Sequence, residues 1–303
     1  MRRPAPIVAA TGPDTLRGAA LMVASMACFA VEDALIKTLG SSGAAFPATQ
    51  IIWMLGVGGA TVLAAYQVAR GRLLFAADLR HPAVLWRTVF EVAATLTFVP
   101  ALILVPLATA TAVLQATPLV VAAGAALFLG ATVGWRRWAA IGVGFAGVLL
   151  VVRPGADFDA ATLLAVAGTL GLAARDLVTR LIPVGVSNVR TSLVAFAALV
   201  PGGMAAQAAL GQPVVAPPPE SLGLLAATVA IGLAGYVTVV GAMRMGDVAV
   251  VTSFRYSRMV FALVLATAVF GERPDPVALT GIAIVIGAGL YTLAREARLA
   301  SQT

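Results

Sequence analysis

Ten apolar stretches, each close to the roughly 20 residues needed to span a bilayer, follow one another with only short connections between them. Their limits read as 16–39, 46–69, 82–104, 107–130, 135–152, 158–182, 188–210, 220–242, 247–270 and 275–294. Gly/Pro-rich or charged connections divide them, among them "ARGRLLFAADLRHP", "RPGADFD", "GQPVVAPPPE" and "GERPDP". The third and fourth stretches meet in "VPALILVPLATA", which has no charge. Pro106 separates them, because a proline inside a helix removes a hydrogen bond and clashes with the turn before it. The 303 residues are 60% hydrophobic and 11% charged, against about 25% charged in a soluble domain. A folded core cannot hide that much apolar surface from water. The expectation is an all-α polytopic membrane protein with ten transmembrane helices.

Charge placement supports this. The net charge of +7 would suggest nucleic acid in a soluble protein. Here the arginines stand singly or in pairs between apolar runs, so topology explains them and no nucleic-acid partner is expected. With the N-terminus inside, Arg2, Arg3, Arg17, Arg70, Arg72, Arg80, Arg136, Arg137, Arg180, Arg190, Arg244, Arg295 and Arg298 fall on the cytoplasmic side. Lys37, Arg153 and Arg273 fall on the other. This positive-inside bias puts both termini in the cytoplasm, which requires an even number of spans. The first span is read as uncleaved, because it is long and holds internal charges.

The chain also repeats itself. "AVEDALIK" (Ala30–Lys37) aligns with "AARDLVTR" (Ala173–Arg180), so Glu32 meets Arg175, Asp33 meets Asp176 and Lys37 meets Arg180. "LATATAVLQATPLV" aligns with "VAVVTSFRYSRMVF", where Thr111 meets Thr252 and Gln115 meets Tyr256. Runs ending at Gly130 and Gly271 follow, then a glycine-rich span in each half. Five spans per half is an odd number, so the halves are expected to be inverted, at 1–153 and 154–303. Secondary transporters built this way place their substrate site between the halves, near mid-membrane.

Ionisable groups inside a bilayer are costly and usually face a cavity or a partner. In the first span, Asp33 and Lys37 are four apart and share a face, where a packing salt bridge or a functional role is open; Glu32 points about 100° away and lacks a mate on its face. In the third, Arg87, Glu91 and Thr95 form one stripe, with a local Arg87–Glu91 pair or a titratable wall carboxylate as alternatives. In the sixth, Arg175, Asp176 and Arg180 form the inverted copy, readable as a second gate or a second clamp. In the ninth, Arg255 and Arg258 have no acid on their own helix. They need Glu32, Asp33, Glu91 or Asp176 from another span, or an anionic substrate group. Tyr256 and Gln115, with Thr252 and Thr111 a turn away, could add hydrogen bonds. The candidate substrate-binding set is therefore Arg255, Tyr256, Arg258, Glu32, Asp33, Glu91 and Gln115. The candidate gating or ion-pair set is Lys37, Arg87, Arg175, Asp176 and Arg180. Glu32 is the acid expected to reach the span-nine arginines.

Other features carry less. The single cysteine, Cys28, excludes an intrachain disulfide. His81, beside Pro82 at the start of a helix, is read as a surface residue. "GVGFAG" lies within a span and follows no strand, so it reads as helix packing rather than a nucleotide loop. No Walker sequence, metal-ligand cluster or nucleophile–base set is legible, so neither enzymatic activity nor a cofactor or metal is expected.

With ten spans in two halves, "PLATATAVLQATPLV", "GWRRWAAIGVGFAGVLLVVRPG", "RDLVTR" and "FRYSRMVFALVLATAVFGERPD", the chain resembles the EamA branch of the drug/metabolite transporter superfamily, over residues 16–294. Within it, the motifs look like a bacterial subgroup that includes S-adenosylmethionine uptake transporters. Two positions depart from the pattern: Ala131 follows Gly130 where an acid is common, and Met54 and Leu55 stand where an arginine is frequent. Arg87, Arg255 and Tyr256 match it. The resemblance implies a secondary transporter of the inner membrane, moving a small polar or zwitterionic metabolite, driven by protons, a counter-substrate or the substrate's own gradient. Export of toxic or amphipathic compounds is the alternative. Substrate, direction and oligomeric state are not legible.

Overall fold

The computed structural model describes residues 12–41, 46–74, 76–130, 134–153, 159–183, 185–245 and 248–300. Arg2, Arg3, Ala131 and the junction between the expected halves after Arg153 lie outside these residues, as do the side chains of Arg137, Arg295 and Arg298. Among the described residues there are only helices and turns. They run α1 (Gly12–Ser41), α2 (Ala48–Ala69), α3 (Pro82–Leu104), α4 (Leu107–Leu114), α5 (Thr117–Phe128), α6 (Trp135–Val152), α7 (Thr162–Thr179), α8 (Asn188–Ala209), α9 (Pro219–Ala242), α10 (Val248–Ser253), α11 (Ser257–Ala268) and α12 (Pro276–Ala300).

Among the described residues, nine segments are long and apolar enough to cross a membrane, counting Leu107–Phe128 and Val250–Ala268 each as one. The expected fifth span corresponds to α6, whose apolar part, Trp138–Val152, is shorter. Large apolar side chains such as Trp86, Val89, Val260 and Val264 point outward, as a lipid solvent permits and water would not.

Local chemistry sets the helix ends. His81 accepts the Ala83 N–H through Nδ1 at 3.2 Å and Pro82 opens α3, so this histidine is a cap. Pro106 stands between α3 and α4. Gly130 and Gly271, at matching places in the repeat, both take left-handed φ values, +67° and +64°. Glycine adopts that conformation without a Cβ penalty, which explains the shared stop.

Packing is reciprocal. α1 lies along α9 and α7 along α3; α2 lies along α8, and α6 along α12. Each member of one half meets in the other the counterpart of its own partner, as two copies related by a twofold axis would. Small residues seat the pairs. A Cβ on Gly147 would fall 2.8 Å from the Gly281 carbonyl oxygen, and one on Gly281 2.7 Å from that of Gly147. The glycines of α6 and α12 are thus contact surfaces between helices. The α3–α7 contact places Ala94 against Gly171; the α1–α9 contact places Cys28 against Gly235. Those two contacts are equivalent at offsets of 143 between α1 and α7 and 141 between α3 and α9.

Both fourth spans are interrupted at the matched position. α4 gives way to α5 at Gln115 and Ala116, and α10 to α11 through a 3₁₀ turn, Phe254–Tyr256. The Gln115 amide donates to the Arg255 carbonyl at 3.3 Å, so the two breaks touch. Sequence reading treated each as one unbroken span.

Candidate functional site

A cavity of about 730 Å³ lies between the helices at these breaks. Ten of the twelve residues singled out in the sequence line it: Glu32, Asp33, Arg87, Glu91, Gln115, Arg175, Asp176, Arg255, Tyr256 and Arg258. Lys37 and Arg180 do not, nor do Thr111 and Thr252.

Position within each helix explains the pairing. Asp33 is buried and accepts from Arg258 at 2.6 Å and 3.2 Å, across α1 and α11. The Arg258 guanidinium also lies 5.4 Å from the Phe29 ring centroid, a cation–π distance. Asp33, one of the four acids open to the span-nine arginines, reaches Arg258, whereas Glu32, the first choice among them, does not; nor does Asp33 pair with Lys37. The cause is helical phase: Asp33 is the acid on the face toward α11.

A second cluster joins α3 to α7. Arg175 donates to Glu91 at 3.0 Å and to its neighbour Asp176 at 2.8 Å. Arg87 completes it with the expected local contact to Glu91, at 3.4 Å. Asp176 therefore pairs with Arg175 rather than with Arg180, which caps the end of α7 and is exposed. Beside this cluster the Ser192 hydroxyl bonds to the Tyr236 hydroxyl at 2.7 Å.

Two charged groups in the cavity stand apart from these clusters. Arg255 makes no ion pair or side-chain hydrogen bond among the described residues, and it is exposed to the lumen. Glu32 likewise has no partner, and its carboxylate rests against Gly232, where an added Cβ would fall 2.2 Å from Oε1. The Tyr256 hydroxyl is buried without a hydrogen-bond partner, in contact with Gly289.

The ends of the cavity differ. At one end the lining residues Ile36, Ile52, Leu55, Leu102 and Leu199 are buried. Just beyond, the Lys37 ammonium donates to the Val105 and Leu102 carbonyls at 2.6 Å and 3.2 Å and lies 3.5 Å from Glu272. Glu272 in turn accepts the Leu107 and Ala108 N–H groups at 2.7 Å and 3.2 Å. One carboxylate thus joins α1 to the start of α4, where the helix dipole favours negative charge. Toward the α7–α8 connection the lining residues Thr179, Pro183 and Asn188 are exposed, and the cavity reaches the surface there. Sequence reading noted Glu272 only as a motif residue. It did not find Gly232, Phe29, Ser192 or Tyr236. Among the described residues, no three His, Cys, Asp or Glu side chains gather to hold a metal.

Two similar sets of helices thus surround the cavity. The profile of the EamA-like transporter family matches residues 16–153 and again 158–294. The chain belongs to the EamA-like transporter family. This EamA-like protein is 28% identical to an S-adenosylmethionine uptake transporter of Rickettsia bellii, over 65% of this chain and 67% of that one. It is 30% identical to a riboflavin transporter of Rhizobium johnstonii, over 66% of each chain. A solved crystal structure aligns with a TM-score of 0.61 and 21% identity, covering 94% of this chain and 99% of that one. That likeness shows the fold alone. The EamA-like chain is a multi-pass membrane protein of a family of transporters.

Proposed function

We propose that this protein is a secondary active transporter of the inner membrane that moves a small polar or zwitterionic metabolite, amino-acid-like or S-adenosylmethionine-like, by alternating access. The observation that supports this reading is a largely apolar cavity set with charged side chains, closed at the Lys37 end and reaching the surface at the α7–α8 end. Ten spans in two inverted halves, 1–153 and 154–303, with both termini cytoplasmic, is the topology that goes with it. Reciprocal helix pairing and matched breaks at Gln115 and Tyr256 support the inversion. In that topology the cavity opens toward the cytoplasm.

Arg255 holds an anionic group of the substrate, since a guanidinium presents a planar fork of donors to a carboxylate. The broken fourth spans bring backbone polar groups to the cavity wall, as discontinuous helices do in other carriers. Reorientation opens the Lys37–Glu272 closure and shuts the α7–α8 end. Proton or counter-substrate gradients supply the drive. The relatives named for S-adenosylmethionine and riboflavin uptake supply the first solutes to test.

In proteoliposomes, saturable uptake with counterflow is the expected outcome for a carrier; flux linear in substrate would instead indicate a channel. Arg255→Ala should lower uptake to below a tenth at unchanged protein level. Undiminished uptake by that variant sinks the assignment of Arg255. Energised extrusion of toxic amphipathic compounds, without metabolite uptake, would favour export.

A further inference from the structure

The cavity wall carries four arginines, Arg87, Arg175, Arg255 and Arg258, and four carboxylates, Glu32, Asp33, Glu91 and Asp176. Six of the eight are ion-paired with one another. Arg258 and Asp33 form one neutral pair. Arg87, Arg175, Glu91 and Asp176 form one neutral cluster. One cation, Arg255, and one anion, Glu32, are left over. They do not cancel each other. The charged neighbours of Glu32 are Asp33 and Arg258; those of Arg255 are Asp176, Arg175 and Arg258. Arg258, the cation of the Arg258–Asp33 pair, is a neighbour of both.

The vacancy beside Glu32 follows from the repeat. At the offsets that superpose Cys28–Gly235 on Gly171–Ala94, the Arg175–Glu91 bridge of α7 and α3 becomes the Glu32–Gly232 contact of α1 and α9. A glycine occupies the place where the other copy supplies an opposite charge. The carboxylate therefore keeps its hydrogen-bonding capacity for something that is not protein. Unpaired charge in a site of low polarity is costly, and a ligand group of opposite sign relieves that cost.

We infer that the ligand is a zwitterion, its anionic group on Arg255 and its cationic group on Glu32, bridging the Arg258–Asp33 pair. This rests on the transporter reading and narrows it. A solute with only a positive or only a negative charge fills one end and leaves the other group unmatched. A wall charge that sums to zero selects a ligand whose charges also sum to zero. Gly232 is a positioning residue for Glu32.

The test uses the full chain in lipid nanodiscs, with binding followed by calorimetry and thermal shift. The probes are the amino acids with uncharged side chains, each beside its methyl ester, which keeps only the ammonium, and its N-acetyl form, which keeps only the carboxylate. The expected result is at least one zwitterion bound tenfold or more tightly than both of its singly blocked forms. Arg255→Gln should make that zwitterion and its ester bind alike. Glu32→Gln should make it and its N-acetyl form bind alike. A merely structural role for either residue would weaken all forms equally. Equal binding of blocked and unblocked forms by the native protein overturns the inference. So does saturable counterflow of riboflavin or a singly charged solute with no zwitterion bound, an outcome that leaves the transporter reading standing. Absence of saturable flux for every solute overturns the transporter reading itself.

Discussion

The charged segment near the end of α1, Glu32, Asp33 and Lys37, and its copy on α7, Arg175, Asp176 and Arg180, occupy equivalent places and lead opposite lives. On α1 the terminal cation is fastened: Lys37 holds two carbonyls from the end of α3 and the Glu272 carboxylate. On α7 its counterpart Arg180 is exposed at a helix end. Asp33 binds across to α11, whereas Asp176 binds its own neighbour. Glu32 faces a glycine and is free, whereas Arg175 faces Glu91 and is held. The difference matches the two ends of the cavity, one sealed and one reaching the surface. Repeated sequence sets where a side chain stands; the residue opposite decides whether it closes a passage or lines one.

The comparison can be broken by substitutions that treat the two copies alike. The largest effect is expected at the buried pair. Asp33→Ala strands Arg258 and should destabilise the protein by about 3–5 kcal/mol, with much of the loss recovered when Arg258 is also replaced by an apolar residue. Unfolding in mixed micelles measures this. A loss below about 1 kcal/mol would mean that the pair does not hold α1 to α11.

Next comes the sealed end. Glu272→Gln removes a charge-assisted bond of roughly 1.5–3 kcal/mol to the start of α4. In a Cys28→Ala background with Ile36→Cys as reporter, labelling by an impermeant maleimide from the Lys37 side should rise about tenfold, a factor that corresponds to ~1.4 kcal/mol. An unchanged rate would show that Glu272 does not close this end. Gly232→Ala should cost about 1–3 kcal/mol through overpacking against Glu32. A neutral outcome would show that the carboxylate moves away freely, and would weaken the case for Gly232 as its support. The smallest effect belongs to Arg180→Ala, within about 0.5 kcal/mol, because the side chain is exposed at a helix end. A large loss there would make the two copies structurally alike after all.

Helix content and most of the span limits could be read directly. The stretch 82–104 coincides with α3 and 135–152 with α6, because proline, charge and glycine mark those ends chemically. The charged residues that surround the cavity were also legible, since an ionisable group in an apolar run needs a partner or a lumen. Their partners were less so. Lys37 and Asp33 sit at the spacing of a helix-surface pair, yet each has a stronger partner on another helix, and spacing carries no information about that competition. Glu272 and Lys37 are far apart in sequence and meet only when α12 begins beside α4. The break at Gln115 had a signal that went unread, Pro118 at the start of α5, which lacks the N–H that would continue the helix; the turn at Tyr256 has no such mark, because its residues are compatible with helix. Gly232 was invisible for a simpler reason: its importance is the absence of a side chain.

The balance of four arginines against four carboxylates has an electrical consequence. Moving one unit charge through a membrane potential involves about 2.3 kcal/mol for every 100 mV. A lumen with no net charge experiences no such force when it changes sides. The empty protein would then reorient at the same rate in a polarised and a depolarised cell, and a net-neutral cargo would travel with equal indifference to voltage. Losing either Arg255 or Glu32 would give the lumen a net charge, and the return step would become voltage-dependent with opposite sign in the two variants.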